Sequence, residues 1–429
     1  MKRKAIENLL SWKKDTDRKP LVLKGARQVG KTWLMKEFGK NYYNNFVYFN
    51  FDEDDELKTI FKANKNPNRI VELLSLISGQ KIYPNNTLII FDEIQECPEA
   101  LNSLKYFNEK ANEYHIISAG SLLGTLLASP KSYPVGMVNL LNIYPLSFEE
   151  FLNAVDENMY IYYLSINKDD IIEEIFHSKL LEIYNQYLII GGMPECVLSW
   201  ITYKDPSKVL QIQNELISLY EYDFSKHNGK VNSGRILQVF RSIVSQLAKE
   251  NEKFIYSVVR EGGRARDFEE AIEWLVSAGM VIRVNNVSKL EHPLAAFKKY
   301  DCFKLFVFDI GLLKYMSGID NSAILLKSNY QFKGQLTENY CLQQLQHIFN
   351  DIYYYSDKHN ELDFVIQYST DIIPIEVKAG ENKSAISFKN YIKNHKPTYS
   401  IRFSKMNYKK DGFIINIPLY LIGKTKDLL

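Results

Sequence analysis

An α/β fold organised around a phosphate-binding loop is predicted for this 429-residue chain, and three observations carry the prediction. The first is Lys19-Pro-Leu-Val-Leu-Lys-Gly-Ala-Arg-Gln-Val-Gly-Lys-Thr32, where a short apolar strand runs into Gly25-x-x-x-x-Gly30-Lys31-Thr32 and then a helical segment. The second is Thr87-Leu-Ile-Ile-Phe-Asp-Glu93, a continuous apolar run ending in two carboxylates, as expected of a parallel strand covered on both faces. The third is two more strand-like runs, 46–51 and 115–121, that fit the same sheet.

Each residue type in the loop has a task. Gly25 and Gly30 let the backbone turn its N–H groups toward anionic oxygens, and the helix start adds partial positive charge. Arg27, Gln28 and Val29 complete the nucleotide-binding set. Lys31 is expected to reach the β- and γ-phosphates of ATP, and the Thr32 hydroxyl to ligate Mg²⁺. Asp92 is assigned to the Mg²⁺ shell and Glu93 to polarising the attacking water, at the strand end where α/β sheets place ligand-binding groups. The run 115–121 ends in small hydroxyl residues. As an inserted strand it would present a γ-phosphate sensor, Ser121 first and Ser118 second. The acidic cluster 52–56 reads as a solvated loop.

Length and composition bound the rest. A chain of this size divides into two to four domains. The expected divisions are a P-loop core at 1–150, a helical lid at 151–230, a winged-helix-like module at 231–320 and a second α/β domain at 321–429. The net charge of +2 gives no overall field for nucleic acid, so any such binding needs a local patch. Cys97, Cys196, Cys302 and Cys341 are far apart and suggest neither a zinc site nor a disulfide framework. No apolar run approaches ~18 residues and the N-terminus lacks a signal-peptide core, so the expectation is a cytoplasmic protein with no membrane association.

Beyond residue 142 the pattern turns helical. Ser147-Phe-Glu-Glu150 reads as a capping box. Amphipathic segments continue to residue 190 and break at Gly191-Gly-Met-Pro194, which reads as the lid. Helices at 234–247 and 266–278 then precede strand-like runs at 280–284 and 303–308 that are expected to pair. That is the winged-helix order. Arg264 and Arg266 would face DNA phosphates or base edges in that reading. A protein-contact module with solvated arginines fits the same pattern.

The C-terminal region holds a second constellation. Glu338 lies in the helical run 335–345, and strands are expected at 361–367 and 372–378 with a short turn between them. A turn closing symmetrically about Ser369-Thr370 sets Asp363 opposite Glu376 and Glu361 opposite Lys378. Alternation places Glu376 and Lys378 on one face, Ile375 and Val377 on the other. Opposed Cβ atoms lie ~5 Å apart, so the two carboxylates repel unless a cation sits between them. Two carboxylates and a backbone carbonyl make an oxygen site for Mg²⁺, and Lys378 could position a water or stabilise phosphorane charge. Glu338, Asp363, Glu376 and Lys378 are therefore the candidate catalytic set. The helix–Asp–Glu-x-Lys order matches the nuclease core of the restriction-endonuclease superfamily. An ordinary amphipathic hairpin with charges in water is the competing reading.

Taken together, the chain resembles a group of bacterial and archaeal AAA+ superfamily ATPases with a C-terminal restriction-endonuclease-like domain of unknown function. The resemblance rests on Gly25–Thr32, Phe91-Asp-Glu-Ile-Gln95, Ser118-Ala-Gly-Ser121, Tyr144-Pro-Leu-Ser-Phe-Glu-Glu-Phe151, Gly191-Gly-Met-Pro-Glu195, residues 304–313, Thr337-Glu-Asn339 and residues 361–378. It implies ATP binding at Lys31 and Thr32 and a nuclease-like fold around Asp363, Glu376 and Lys378. One departure stands out. The group often has Gly-Arg or Gly-Lys before its Tyr-Pro-Leu segment, whereas Gly136-Met137 stands here, and no arginine occurs between Arg69 and Arg235. An arginine finger is worth ~10³ or more in rate in other NTPases. Lys131, Arg264 or Arg266 could substitute; otherwise hydrolysis is slow unless a second copy or a protein partner supplies the arginine. The expectation is an ATP-binding switch and slow ATPase whose nucleotide state controls a winged-helix and nuclease-like half acting on DNA or RNA. The alternative is an ATP-switched, protein-binding scaffold with an inert nuclease fold.

Overall fold

The computed structural model describes residues 1–120, 136–227, 229–249, 253–325, 331–357, 360–380 and 386–429. The chain divides into two compact units, one of residues 2–144 with 277–280, the other of residues 145–276 with 281–429.

The first unit is built on five strands: β1 (Leu21–Lys24), β2 (Asn45–Asn50), β3 (Thr87–Asp92), β4 (His115–Ala119) and β5 (Asn139–Asn142). They pair in the order β2-β3-β4-β1-β5, all parallel. β4 is inserted between β1 and β3, as the sequence suggested, with Ser118 in register with both Val22 and Phe91. β5 escaped the sequence reading. It has four residues, an Asn at each end, and among the described residues pairs with β1 alone, so it carries little of the apolar run that marks a buried strand. β3 is buried at every position, because helices cover both its faces. Phe51, Phe61 and Phe91 form an edge-to-face trio at 5.4–5.7 Å in this core, each worth roughly 1.5–3 kcal/mol by burial.

At the start of β4, His115 is enclosed by polar and aromatic neighbours. Its Nδ1 meets the Tyr43 hydroxyl at 2.7 Å, its Nε2 meets Asn85 Oδ1 at 3.3 Å, and the Trp12 ring stands edge-on. Burial, then the nearby Arg18 and Lys13, lowers its pKa to about 4. The folded imidazole is therefore neutral at pH values where the unfolded one takes up a proton. Its stabilisation is fully present above about 6.5 and is lost as pH falls toward about 4. His115→Phe is expected to flatten that part of the curve of melting temperature against pH. Parallel curves for the two proteins would refute it.

In the second unit, the helices Phe148–Val155, Glu174–Ile190, Pro194–Tyr203, Pro206–His227, Gly229–Leu247 and Ala265–Ser277 accompany an eight-stranded mixed sheet. The Ser147/Glu150 capping box forms as expected. The strands are β6 (Val281–Val287), β7 (Lys298–Val307), β8 (Ile352–Ser356), β9 (Glu361–Tyr368), β10 (Asp371–Val377), β11 (Ser400–Ser404), β12 (Lys409–Asp411) and β13 (Ile414–Pro418). Their order is β12-β13-β11-β10-β9-β8-β6-β7. β6 and β7 form the expected antiparallel ribbon, with Val281 opposite Val307. The ribbon is not confined to a separate module. The free edge of β6 pairs in parallel with β8, Asn285 with Tyr353 and Asn286 with Tyr354, which satisfies backbone groups that an isolated ribbon would leave open.

The break at Gly191-Gly192 and the distant Asp309 meet inside this unit. Asp309 is fully buried. Its Oδ2 accepts from the Gly192 N–H at 2.7 Å and Gln343 Nε2 at 3.2 Å, and its Oδ1 caps the helix Ile310–Met316 through the Leu312 N–H at 3.1 Å. Gln343 Nε2 also donates to the Tyr187 hydroxyl, which in turn donates to the Leu146 carbonyl. A Cβ on Gly192 would lie 2.2 Å from that carbonyl oxygen, so only glycine fits. Burial raises the Asp309 pKa to about 6 despite the donors around it.

Candidate nucleotide site and C-terminal carboxylate site

The loop after β1 adopts the conformation its glycines allow. Gly25 sits at φ 149°, where a Cβ would lie 2.1 Å from the Ile143 carbonyl oxygen. Gln28 also has positive φ, and Gly30 caps the helix Lys31–Tyr42. Arg3 fastens the loop from behind, donating to the carbonyls of Val29 (3.0 Å) and Tyr144 (2.7 Å). Lys31 is buried, and its Nζ donates to the carbonyls of Gly25 (2.9 Å) and Ala26 (2.7 Å). Burial lowers its pKa to about 8, against the raising effect of Glu93 and Asp92.

The carboxyl end of β3 supplies the acidic half. Asp92 Oδ2 accepts from the Thr32 hydroxyl at 2.7 Å and the Tyr48 hydroxyl at 3.0 Å. Thr32 Oγ1 and Asp92 Oδ2 thus form a close hydroxyl–carboxylate pair of oxygens, the donor chemistry that suits Mg²⁺. Glu93 follows in the left-handed region at φ 47°, its N–H on Asp92 Oδ1 and its carboxylate held by Gln95 Nε2. Gly25, Arg27, Gln28, Val29, Gly30, Lys31 and Thr32 thus lie on one continuous turn, and Thr32 joins it to Asp92. Ser121 and Lys131 lie outside the described residues. Ser118 is buried and donates to the Leu21 carbonyl at 3.2 Å. Tyr48, Gln95 and Arg3 were missed by sequence reasoning. Gln95 stands two residues beyond Glu93 and could have been suspected; Tyr48 and Arg3 depend on long-range packing.

The turn between β9 and β10 closes in the symmetric register. Asp371 pairs with Tyr368 and the ladder continues to Ile375 with Phe364, leading directly to Asp363 and Glu376. Asp363 Oδ2 accepts the Val377 N–H at 2.6 Å, Glu376 is ion-paired with Lys378, and Arg402 on β11 is in register with Glu376. Burial and then the charge of Glu376 push the Asp363 pKa upward. Burial also raises Glu376, with Lys378 opposing it. The helix Lys333–Leu345 carries Glu338 to the same region: burial, Glu338 and Asp363, in that order, raise the Cys341 thiol. Lys304, on β7, was missed. Its Nζ lies 3.5 Å from Glu361 and 5.0 Å from the Tyr354 ring centre, reached across the ribbon-to-sheet pairing that sequence did not reveal. Among the described residues, no group of three or more His, Cys, Asp or Glu is placed to hold a metal ion. A cation here would have to rely on Asp363, Glu376 and backbone oxygen.

Arg264 and Arg266 are exposed at the start of the helix Ala265–Ser277. That helix also exposes Glu269, Glu270 and Glu273, the last ion-paired with Arg283.

Residues 17–152 match the family described as AAA domain, and residues 181–323 and 333–422 match two families each described as a domain of unknown function. No curated protein matches the sequence. Among solved structures, a Walker-type ATPase of Pyrococcus abyssi is similar at 14% identity and TM-score 0.47, covering 73% of this chain and 95% of its own. The ORC1 protein of Aeropyrum pernix in complex with DNA is similar at 13% identity and TM-score 0.27, covering 75% and 92%. AMPPCP-bound DnaA from Aquifex aeolicus is similar at 14% identity and TM-score 0.26, covering 64% and 84%. No described helix is long and apolar enough to cross a membrane.

Proposed function

We infer, from the AAA-type P-loop ATPase domain at residues 17–152, that the protein binds ATP with Mg²⁺ and hydrolyses it slowly, and that the nucleotide state controls a nuclease-like half acting on nucleic acid. The Thr32–Asp92 pair beside buried Lys31 carries this reading. For ATP to enter, Lys31 exchanges the Gly25 and Ala26 carbonyls for phosphate oxygens. Thr32 and Asp92 would hold Mg²⁺, which would supply charge neutralisation at the phosphates. Glu93 polarises the attacking water once Gln95 releases its carboxylate. In the second unit, Asp363 and Glu376 are the groups that would hold a cation against a phosphodiester, with Lys378 on the same face and Glu338 nearby.

ATP turnover with and without DNA, in wild type and Glu93→Gln, tests the first half. Turnover is expected to fall ~10²-fold or more in the variant, on the scale of general-base losses; equal rates would sink the assignment. Incubation with varied nucleic acids and Mg²⁺ or Mn²⁺ tests the second half, and cutting that survives Asp363→Ala refutes it. The Glu376–Lys378 ion pair and the acidic helix Ala265–Ser277 favour a second reading, an ATP-switched protein-binding scaffold with an inert nuclease fold. Metal binding lost on Glu376→Ala would count against that scaffold.

A further inference from the structure

A carboxylate that is to hold a cation must present its oxygen in a fixed direction, and the groups hydrogen-bonded to it do the fixing. Asp92, buried at the end of β3, is held at both oxygens. Its Oδ1 accepts the Glu93 N–H at 3.1 Å. Its Oδ2 accepts two hydroxyls, Thr32 at 2.7 Å and Tyr48 at 3.0 Å. The two hydroxyls are not equivalent. Thr32 has a second task, since its own oxygen would serve the ion, whereas Tyr48 acts on the carboxylate alone.

The pairing of β2 with β3 delivers Tyr48 to this position. Asn50 is in register with Asp92 and Tyr48 with Ile90, and alternation puts Tyr48 and Asn50 on one face of β2. Asp92 therefore has one neighbour directly beside it and one on the diagonal. Asn50 is taken by the turn beyond β2, its Oδ1 accepting the Asp52 N–H at 3.1 Å. The diagonal falls to Tyr48, whose long, stiff side chain with a polar tip can span it. The ring is pinned as well. Lys36, on the helix Lys31–Tyr42, places its Nζ 3.6 Å from the ring centre. Burial, then the Asp92 charge, raises the phenol pKa, so the hydroxyl keeps its proton and stays a donor.

We propose that Tyr48 is a positioning residue for the cation that accompanies ATP, its hydroxyl fixing the Asp92 carboxylate so that Oδ2 and the Thr32 oxygen stand ready as a pair. The proposal rests on the ATP- and Mg²⁺-binding reading above and adds to it a residue from outside the loop and outside β3. Two opposing effects set the sign of its removal. The hydrogen bond draws charge from the carboxylate and slightly weakens its hold on a cation. Loss of the bond frees the carboxylate to turn about its Cβ–Cγ bond. Removing an outer hydrogen-bond partner of a metal ligand typically costs roughly 10–100-fold in metal affinity or activity, so orientation is the larger effect.

The test uses the full chain as wild type, Tyr48→Phe and Lys31→Ala, measuring ATP affinity in excess chelator and across a Mg²⁺ series. Phenylalanine keeps the ring under Lys36 and removes the hydroxyl alone. Tyr48→Phe is expected to bind metal-free ATP as wild type does, which also shows that its fold is intact. It should lose roughly 10-fold or more of the gain in ATP affinity that Mg²⁺ gives the wild-type protein. An equal or larger Mg²⁺ gain in the variant overturns the proposal. So does a fall in ATP affinity of the same size with and without Mg²⁺, which would make Tyr48 a packing residue of β2. Mg²⁺ that adds nothing to ATP binding in wild type also overturns it, while leaving ATP at the loop. If wild type binds ATP no better than Lys31→Ala does, the ATPase reading itself falls, and this proposal with it.

Discussion

Lys31→Ala is expected to show no rise in melting temperature when Mg²⁺ and ATP are added, whereas the wild-type protein rises by several degrees. A ligand at a hundred times its Kd stabilises the folded state by about 2.7 kcal/mol, and 1 kcal/mol moves the midpoint of a domain this size by roughly 2–4 °C. The wild-type shift should therefore be roughly 5–10 °C. Lys31 is well placed to abolish it, because its ammonium has already surrendered water and satisfies itself on two carbonyls of the loop. Alanine removes the group that would meet the phosphates and leaves those carbonyls without their donor. Trp33 is exposed one residue beyond Thr32 and offers an independent fluorescence readout. Equal shifts in both proteins would remove ATP from Gly25–Thr32.

The largest loss of stability is expected at Asp309. Truncation to alanine strands the Gly192 and Leu312 N–H groups in a buried site and removes one of the two acceptors of Gln343 Nε2, which keeps the Tyr187 hydroxyl. Unsatisfied buried donors cost ~1–3 kcal/mol each, so about 3–5 kcal/mol is expected, with a drop of the order of 10 °C in the transition of the second unit. Asp309→Asn keeps an acceptor oxygen and should lose less. It should also change the pH dependence. Because the folded carboxyl has its pKa raised to about 6, the folded state retains a proton that the unfolded state has released, and stability falls as pH rises from about 4 to about 6. That slope should vanish in Asp309→Asn. Its sign is opposite to that of His115, so the two units should respond to acid in opposite directions. Calorimetry across this range is the measurement, and an unchanged transition in Asp309→Ala would discard the network as a stabilising element.

The readable parts of this protein are those whose physics is local. The phosphate loop announces itself because a strand, two glycines, a lysine and a threonine must follow one another within fourteen residues. The β9–β10 register was legible for a similar reason: a short turn at Ser369-Thr370 leaves little freedom for the strands leaving it. The parallel pairing of β6 with β8 was not legible, since neither strand carries a local mark of its partner and the contact closes a long loop. The same holds for Asp309 with Gly192 and for Lys304 with Glu361, whose partners are fixed only when the unit packs. Gln95 is an intermediate case, visible as a polar neighbour of Glu93 but given its role only by the turn that folds its amide back.

The pairing of β6 with β8 also sets a schedule for synthesis. Some 65 residues separate Val287 from Ile352, which at 5–20 residues per second is roughly 3–13 s of translation. Throughout that interval the β6 edge has no strand beside it, and Asn285 and Asn286 present open backbone to any other extended chain nearby. Cutting the gene between residues 323 and 333, where two family matches would invite it, makes that interval permanent for both halves. Each fragment would carry a raw sheet edge, and the pair should be handled as a complementing system rather than as two independent domains.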